Sequence, residues 1–226
     1  MDELKNAIDD PVLAERWQLA CSQFLGCTSR SQSAPCKKAR VLLHGLGRGR
    51  ALLASALDWQ QPTIGSDPDS SLCQMRGLLW RYLMSYTGWE LMAKSVLWDG
   101  TSLRGLQTEP FTPLLNGAPP LKAPFADLNQ APEALRSWMA TEEQIETHLP
   151  AFLGLSGNHK AFIHWLVGEP TNLSDLQVLA SMRHVVAHGT LSPTKALQWG
   201  LADLYASAPG IIHHLSEALL KAITPT

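Results

Sequence analysis

Eight apolar residues recur at intervals of three or four positions along one stretch of the chain: Leu72, Met75, Leu79, Tyr82, Tyr86, Trp89, Ala93 and Val96. That spacing follows one face of a 3.6-residue helix, and no strand with its period of two can produce it. A helix over 72–98 would be about 40 Å long at 1.5 Å per residue. An apolar stripe of that length must be covered along its whole course, so it predicts helices packed side by side. Asp99-Gly100 supplies the stop.

The rest of the chain reads the same way. Pro11 after Asp9-Asp10 suits the first turn of a helix running to about Phe24, with Gly26 ending it. Residues 27–35 read as a polar loop. From Pro35 to Trp59 the pattern is helical but interrupted, because Gly45, Gly47 and Gly49 each cost about 1 kcal/mol relative to Ala. Residues 60–70 form a loop of Pro, Gly, Asp and Ser. Residues 99–131 contain Pro110, Pro113, Pro119, Pro120 and Pro124 and are expected to be a long insertion without regular structure.

Helices resume near Pro132–Met139, Glu142–Leu149 and His159–Val167. Ser174-Asp175-Leu176-Gln177 is a capping-box pattern opening a helix to His188, with Gly189 placed to be its C′ residue. Ser192-Pro193 then starts a final helix carrying Leu197, Leu201, Leu204, Ala208, Ile212, Leu215 and Leu219. Pro209-Gly210 is expected to kink or break it. No repeats and no strand patterns are found, so the class is all-α, a helical bundle in a single domain over 1–226.

Composition bounds the function. With 226 residues, 45% hydrophobic and 17% charged, a sizeable core can form. The longest apolar runs are far short of a membrane span, so no membrane partner is expected. The opening Met1-Asp-Glu-Leu-Lys lacks an apolar signal core, so the expected location is cytoplasmic. Cys21, Cys27, Cys36 and Cys73 lack CxxC spacing and read as reduced thiols, with a metal site from the first three as the alternative.

The formal charge of −2 hides an asymmetry. Residues 16–57 carry Arg16, Arg30, Lys37, Lys38, Arg40, Arg48 and Arg50 and no acid, which leaves −9 to the remainder. Lys37, Lys38, Arg40, Arg48 and Arg50 are therefore the candidate contacts to a phosphate backbone, with a solvated basic face as the plainer alternative.

Most of the chemistry concentrates at Arg183-His184-Val185-Val186-Ala187-His188-Gly189. The spacing R-x4-H arises often by chance. Its context is more specific, because Leu176, Val178, Leu179, Ala180, Met182, Val185 and Val186 make the helix apolar on nearly every side. That pattern predicts a buried helix ending in a fixed cation and two titratable rings.

This stretch resembles the HEPN superfamily, whose mark is R-x(4–6)-H with a polar residue just after the Arg, here His184. The match covers about 174–193, and the order of helices agrees with the family's bundle. The resemblance implies a metal-independent endoribonuclease without cofactor, often a toxin or defence protein, acting on RNA as a homodimer with two motifs lining one cleft. A cognate antitoxin or other partner protein belongs to the same expectation. Residue by residue, it implies that Arg183 polarises the scissile phosphate and His188 is the base or acid for 2′-OH attack. His184 would orient one of them. The Tyr that toxins paired with nucleotidyltransferases carry two or three residues past the histidine is missing here, where Gly189, Thr190 and Leu191 stand. Control by adenylylation is therefore not implied.

On a regular helix Arg183 and His188 are about 140° apart and share no face. Fraying at the helix end, or a dimer cleft, would have to bring them to one phosphate. The rival reading is a catalytically silent helical interaction module, antitoxin-like or a scaffold, with the arginine and both histidines satisfied in the core.

Three other signals are weaker. His184 and His188 are i,i+4, a spacing that can bind Zn²⁺, but HExxH is lacking and only His213 or His214 offers a third ligand, so no metal is expected. Val41-Leu-Leu-His44-Gly45 looks like the oxyanion loop of α/β-hydrolases. Its partner Gly154-Leu-Ser156-Gly-Asn158 fails as a nucleophile elbow at Asn158. Gly45-x-Gly47-x-Gly49 fits neither a Walker A loop nor a dinucleotide fingerprint.

Overall fold

A computed structural model describes residues 34–60, 67, 69–98, 106, 108–144 and 157–223. Every regular element among them is helical. In chain order these are α1 (Ala34–Asp58), α2 (Ser71–Leu97), 3₁₀ turns at Glu109–Leu115 and Leu128–Gln130, α3 (Glu133–Gln144), α4 (Gly157–Leu166), α5 (Asp175–Ala187), α6 (Pro193–Gln198) and α7 (Ala202–Ile223). The expected helix over 11–24, the loop at 27–33 and the segment 145–149 lie outside the described residues, as do the side chains of residues 34–40.

The chain divides into two compact units. The first holds residues up to Trp59, Met84–Ala118 and Pro209 onward; the second holds Gln60–Leu83 and Pro119–Ala208. Both boundaries within described structure at 83 and 208 fall inside helices, α2 and α7.

In the first unit, α1 is one unbroken helix of 25 residues, against the interruption expected from its glycines. The reason is packing. A Cβ on Gly49 would lie 2.4 Å from Met92 Cγ and 2.5 Å from the Gly88 carbonyl oxygen, and one on Gly45 would lie 2.2 Å from Ser95 Cβ. Gly45 and Gly49 stand one turn apart, so α1 and α2 approach backbone to backbone along one seam. The propensity lost at each glycine is about 1 kcal/mol. Burial of Leu42, Leu46, Leu53, Trp89 and Met92 in this unit outweighs it, at roughly 1.5–3 kcal/mol for a large apolar side chain. Trp89 meets Phe111 edge to face, with ring centroids 5.3 Å apart.

Phe111 sits in the 3₁₀ turn Glu109–Leu115 and is buried. The segment 108–131 thus contains two short 3₁₀ elements and a core residue where no regular structure was expected. The backbone N–H of Phe125 donates to the Leu166 carbonyl at 3.0 Å, which anchors the later part of this segment in the second unit.

In the second unit α4 packs on α5 and α3 on α6. The first half of α2 contributes Met75, Leu79 and Tyr82 to the core. The predicted final helix from Pro193 is two helices. Gly200, at φ +66°, ends α6, and α7 starts afresh at Ala202. Leu197 therefore belongs to α6 rather than to the stripe of α7. The predicted break at Pro209 is absent. Pro209 withholds one backbone donor and costs about 3 kcal/mol in a helix interior. Leu204 and Ala208 before it, and Ile212, Leu215 and Leu219 after it, are all buried, and that burial holds the helix through the defect.

Candidate functional site

The motif helix α5 is set by its ends. Ser174 Oγ accepts from the Gln177 N–H, and Gln177 Oε1 accepts from the Ser174 N–H at 2.9 Å, the reciprocal capping box expected from sequence. At the other end His188 is the C-cap and Gly189 follows at φ +72°. Only glycine adopts that conformation without strain, and it turns the chain sharply out of the helix. The Leu191 N–H returns to the Val185 carbonyl at 2.8 Å, closing the turn.

Two buried tyrosines brace α5 from beneath. The Tyr82 hydroxyl donates to the Leu179 carbonyl, and the Tyr205 hydroxyl to the Met182 carbonyl at 3.4 Å. Their rings meet edge to face, with centroids 5.2 Å apart. Burial pushes the Tyr205 phenol far above its ordinary range, so it stays a neutral donor.

The far side of α5 corrects the sequence expectation. Leu176, Val178, Leu179, Met182 and Val185 are buried, Arg183 is half-buried, and His184, Ala187 and His188 are exposed. The helix has a solvent face, and both motif histidines lie on it rather than in the core. Their rings stack nearly parallel, at 6°, with centroids 5.5 Å apart. The structure thus brings His184 and His188 together. Arg183 stands about 100° and 140° away from them around the helix.

Sequence reasoning missed Lys195. Its ammonium donates to the Thr190 carbonyl at 3.2 Å, one residue past Gly189, and lies 5.4 and 5.7 Å from the ring centroids of Trp138 and Trp199. Those indoles meet edge to face at 5.1 Å. A cation held between aromatic faces is stabilised by their quadrupoles. It ties the turn after His188 to α3 and α6. The only sequence signal was proximity, with Lys195 two residues past the Pro193 that restarts the helix.

The basic candidates separate by helical register. In α1, positions 37, 40 and 48 fall within about 80° of one another, opposite the buried Leu42, Leu46 and Leu53, whereas 38 and 50 point elsewhere. Arg48 is exposed and Arg50 half-buried; the side chains of Lys37, Lys38 and Arg40 lie outside the described residues. The exposed His44 shares the face of 37, 40 and 48. This stripe belongs to the first unit and the Arg183–His188 motif to the second.

His213 and His214, the candidate third metal ligands, belong to the first unit. His214 Nε2 lies 3.1 Å from the Asn116 carbonyl oxygen. His213 is buried, and its Nε2 stands 3.5 Å from Glu217 Oε1 without hydrogen-bond geometry. Burial lowers its pKa, Glu217 opposes that shift, and His214 adds to it. The folded state therefore favours neutral His213. Stability is full above the ordinary histidine value of about 6.5 and declines as pH falls from there toward the lowered one. A His213→Gln variant is expected to flatten the dependence of the melting temperature on pH between neutrality and mild acid. An unchanged slope would assign that dependence to other groups.

Among the described residues no group of three or more His, Cys, Asp or Glu is placed to hold a metal ion. No described helix is long and apolar enough to cross a membrane. The chain matches no protein-family model, no curated protein and no solved structure.

Proposed function

We propose that the chain is a metal-independent endoribonuclease of HEPN type, acting as a homodimer on RNA. The observation that supports it is the solvent face of α5, where two stacked imidazoles adjoin an arginine at a helix end closed by Gly189. In this reading His188 takes the proton of a ribose 2′-OH, and the 2′ oxygen attacks the adjacent phosphorus. The bond to the 5′ oxygen breaks, that oxygen is protonated, and a 2′,3′-cyclic phosphate remains. Imidazole suits this work because it gives and takes protons near neutral pH. Arg183 offers a fixed fork of donors to the phosphate oxygens as charge develops. Because Arg183 and His188 share no helix face, the phosphate meets them at the helix end, where the chain turns away at Gly189. His184 stacks on His188 and fixes its ring.

The test is incubation of a mixed RNA pool with the full chain in EDTA. Cutting that leaves 2′,3′-cyclic ends is the expected result. A folded protein that cuts nothing would sink the reading.

RNA is held, in the same proposal, by the α1 stripe of Lys37, Arg40 and Arg48. Three single-strand phosphate contacts give a slope of log affinity against log salt near −2. Binding should therefore weaken about 15-fold between 50 and 200 mM salt. Reversing Arg40 and Arg48 to Glu should abolish most of it, and Lys38→Glu should do less. A flat salt response measured by fluorescence anisotropy would remove RNA from this face.

The second reading is a silent helical interaction module. The observation favouring it is Trp80, 49% exposed on α2, since tryptophan is enriched at protein contacts. Inactive but folded protein in the EDTA assay would move the assignment there, to an antitoxin-like or scaffold role.

A further inference from the structure

His184 and His188 stand one turn apart on the exposed side of α5, their rings 6° from parallel and their centroids 5.5 Å apart. Imidazole nitrogen binds Zn²⁺ at about 2.0–2.1 Å, which puts an ion about 3.2 Å from the centroid of each ring that ligates it. Two centroids at the observed separation then subtend about 120° at a shared ion, close to the tetrahedral angle that ion prefers. Small ring rotations turn both nitrogens to one point, and both side chains are solvent-facing, so an ion can reach them. A cation there would also face the negative end of the α5 dipole, because His188 is the C-cap.

We propose that His184 and His188 form a two-imidazole chelate for a divalent ion of the imidazole-preferring class, Zn²⁺ or Ni²⁺, with water filling the remaining positions. No third side chain completes the set among the described residues, so the ion exchanges and is not a resident cofactor. Protons compete for the same nitrogens, and binding weakens in acid. A bound ion occupies the lone pair with which His188 would accept a proton. The chelate therefore switches off RNA cleavage; this last step alone rests on the ribonuclease reading.

Calorimetric titration of the full chain with Ni²⁺ at neutral pH tests the site, with circular dichroism confirming that each variant folds. His184→Ala and His188→Ala should each weaken binding tenfold or more, because each leaves a single ligand. His164→Ala removes another surface histidine, the one paired with Glu169 at 2.5 Å, and should leave binding unchanged. Equal binding by all four proteins, or loss only in His164→Ala, overturns the chelate. Loss of wild-type RNA cleavage on saturation with Ni²⁺ supports the switch, and undiminished cleavage by loaded protein overturns it. A wild type that never cuts RNA defeats the ribonuclease reading, and the calorimetry still decides the chelate.

Discussion

His188→Ala is expected to lower RNA cleavage by about 10²–10⁴-fold, the usual range for losing a positioned acid–base group. The melting temperature should stay nearly constant. The side chain is exposed and is the C-cap, where the helix bond it makes runs through its backbone N–H to the His184 carbonyl. Alanine keeps that bond. Activity and stability thus separate at this position. Arg183→Lys supplies the second arm. It keeps the charge but loses the fork, and bidentate phosphate sites do not treat the two as equivalent. A loss of about 10²-fold in kcat with near-normal RNA binding would mark Arg183 as acting on the transition state. If His188→Ala cuts at the wild-type rate, His188 is not the proton carrier. Proportional loss of folding and cleavage would instead make the motif a structural helix end.

The parts legible in sequence were those governed by local rules. The stripe from Leu72 to Val96 placed α2 within one residue at each end, because a 3.6 period leaves little freedom. Ser174, Gln177, Gly189 and the Ser192-Pro193 pair fixed both ends of α5 and the start of α6, since capping is a transaction between near neighbours. The misreadings were tertiary. Propensity made Gly45 and Gly49 look like breaks; they are the seam where α2 comes close. Pro209 looked like a stop, and burial on both sides carries α7 through it. Composition made α5 look buried all round. An apolar count does not record that His184, Ala187 and His188 fall on one side. Lys195 was invisible for the same reason, because its role comes from Trp138, far away in sequence. Only the register of α1 separates positions 37, 40 and 48 from 38 and 50, and the bare charge count had grouped all five.

The α1–α2 seam gives the other large effect. Gly88→Val should destabilise the protein by about 3 kcal/mol or more, and even Gly88→Ala should be destabilising. Alanine ordinarily gains about 1 kcal/mol over glycine inside a helix. Here its Cβ would stand 2.6 Å from the Gly49 carbonyl oxygen, 3.1 Å from Leu53 Cγ and 3.3 Å from the Leu53 nitrogen. Two of those atoms are backbone, so no rotamer change relieves the clash and the helices must separate. Overpacking a tight core typically costs about 1–3 kcal/mol, and separation would also loosen Leu53 and Met92, both buried in this unit. Gly210→Ala is the control. It lies in α7 with nothing within 4 Å of the added carbon, so the propensity gain should survive and raise the melting temperature. Gly189→Ala has equally open space but φ +72°, and should cost about 1 kcal/mol through backbone strain alone. Urea denaturation of the three alanine variants thus has a fixed order of signs: loss at Gly88, gain at Gly210, loss at Gly189. A stabilised Gly88→Ala would mean that α1 and α2 do not approach as closely as the seam requires.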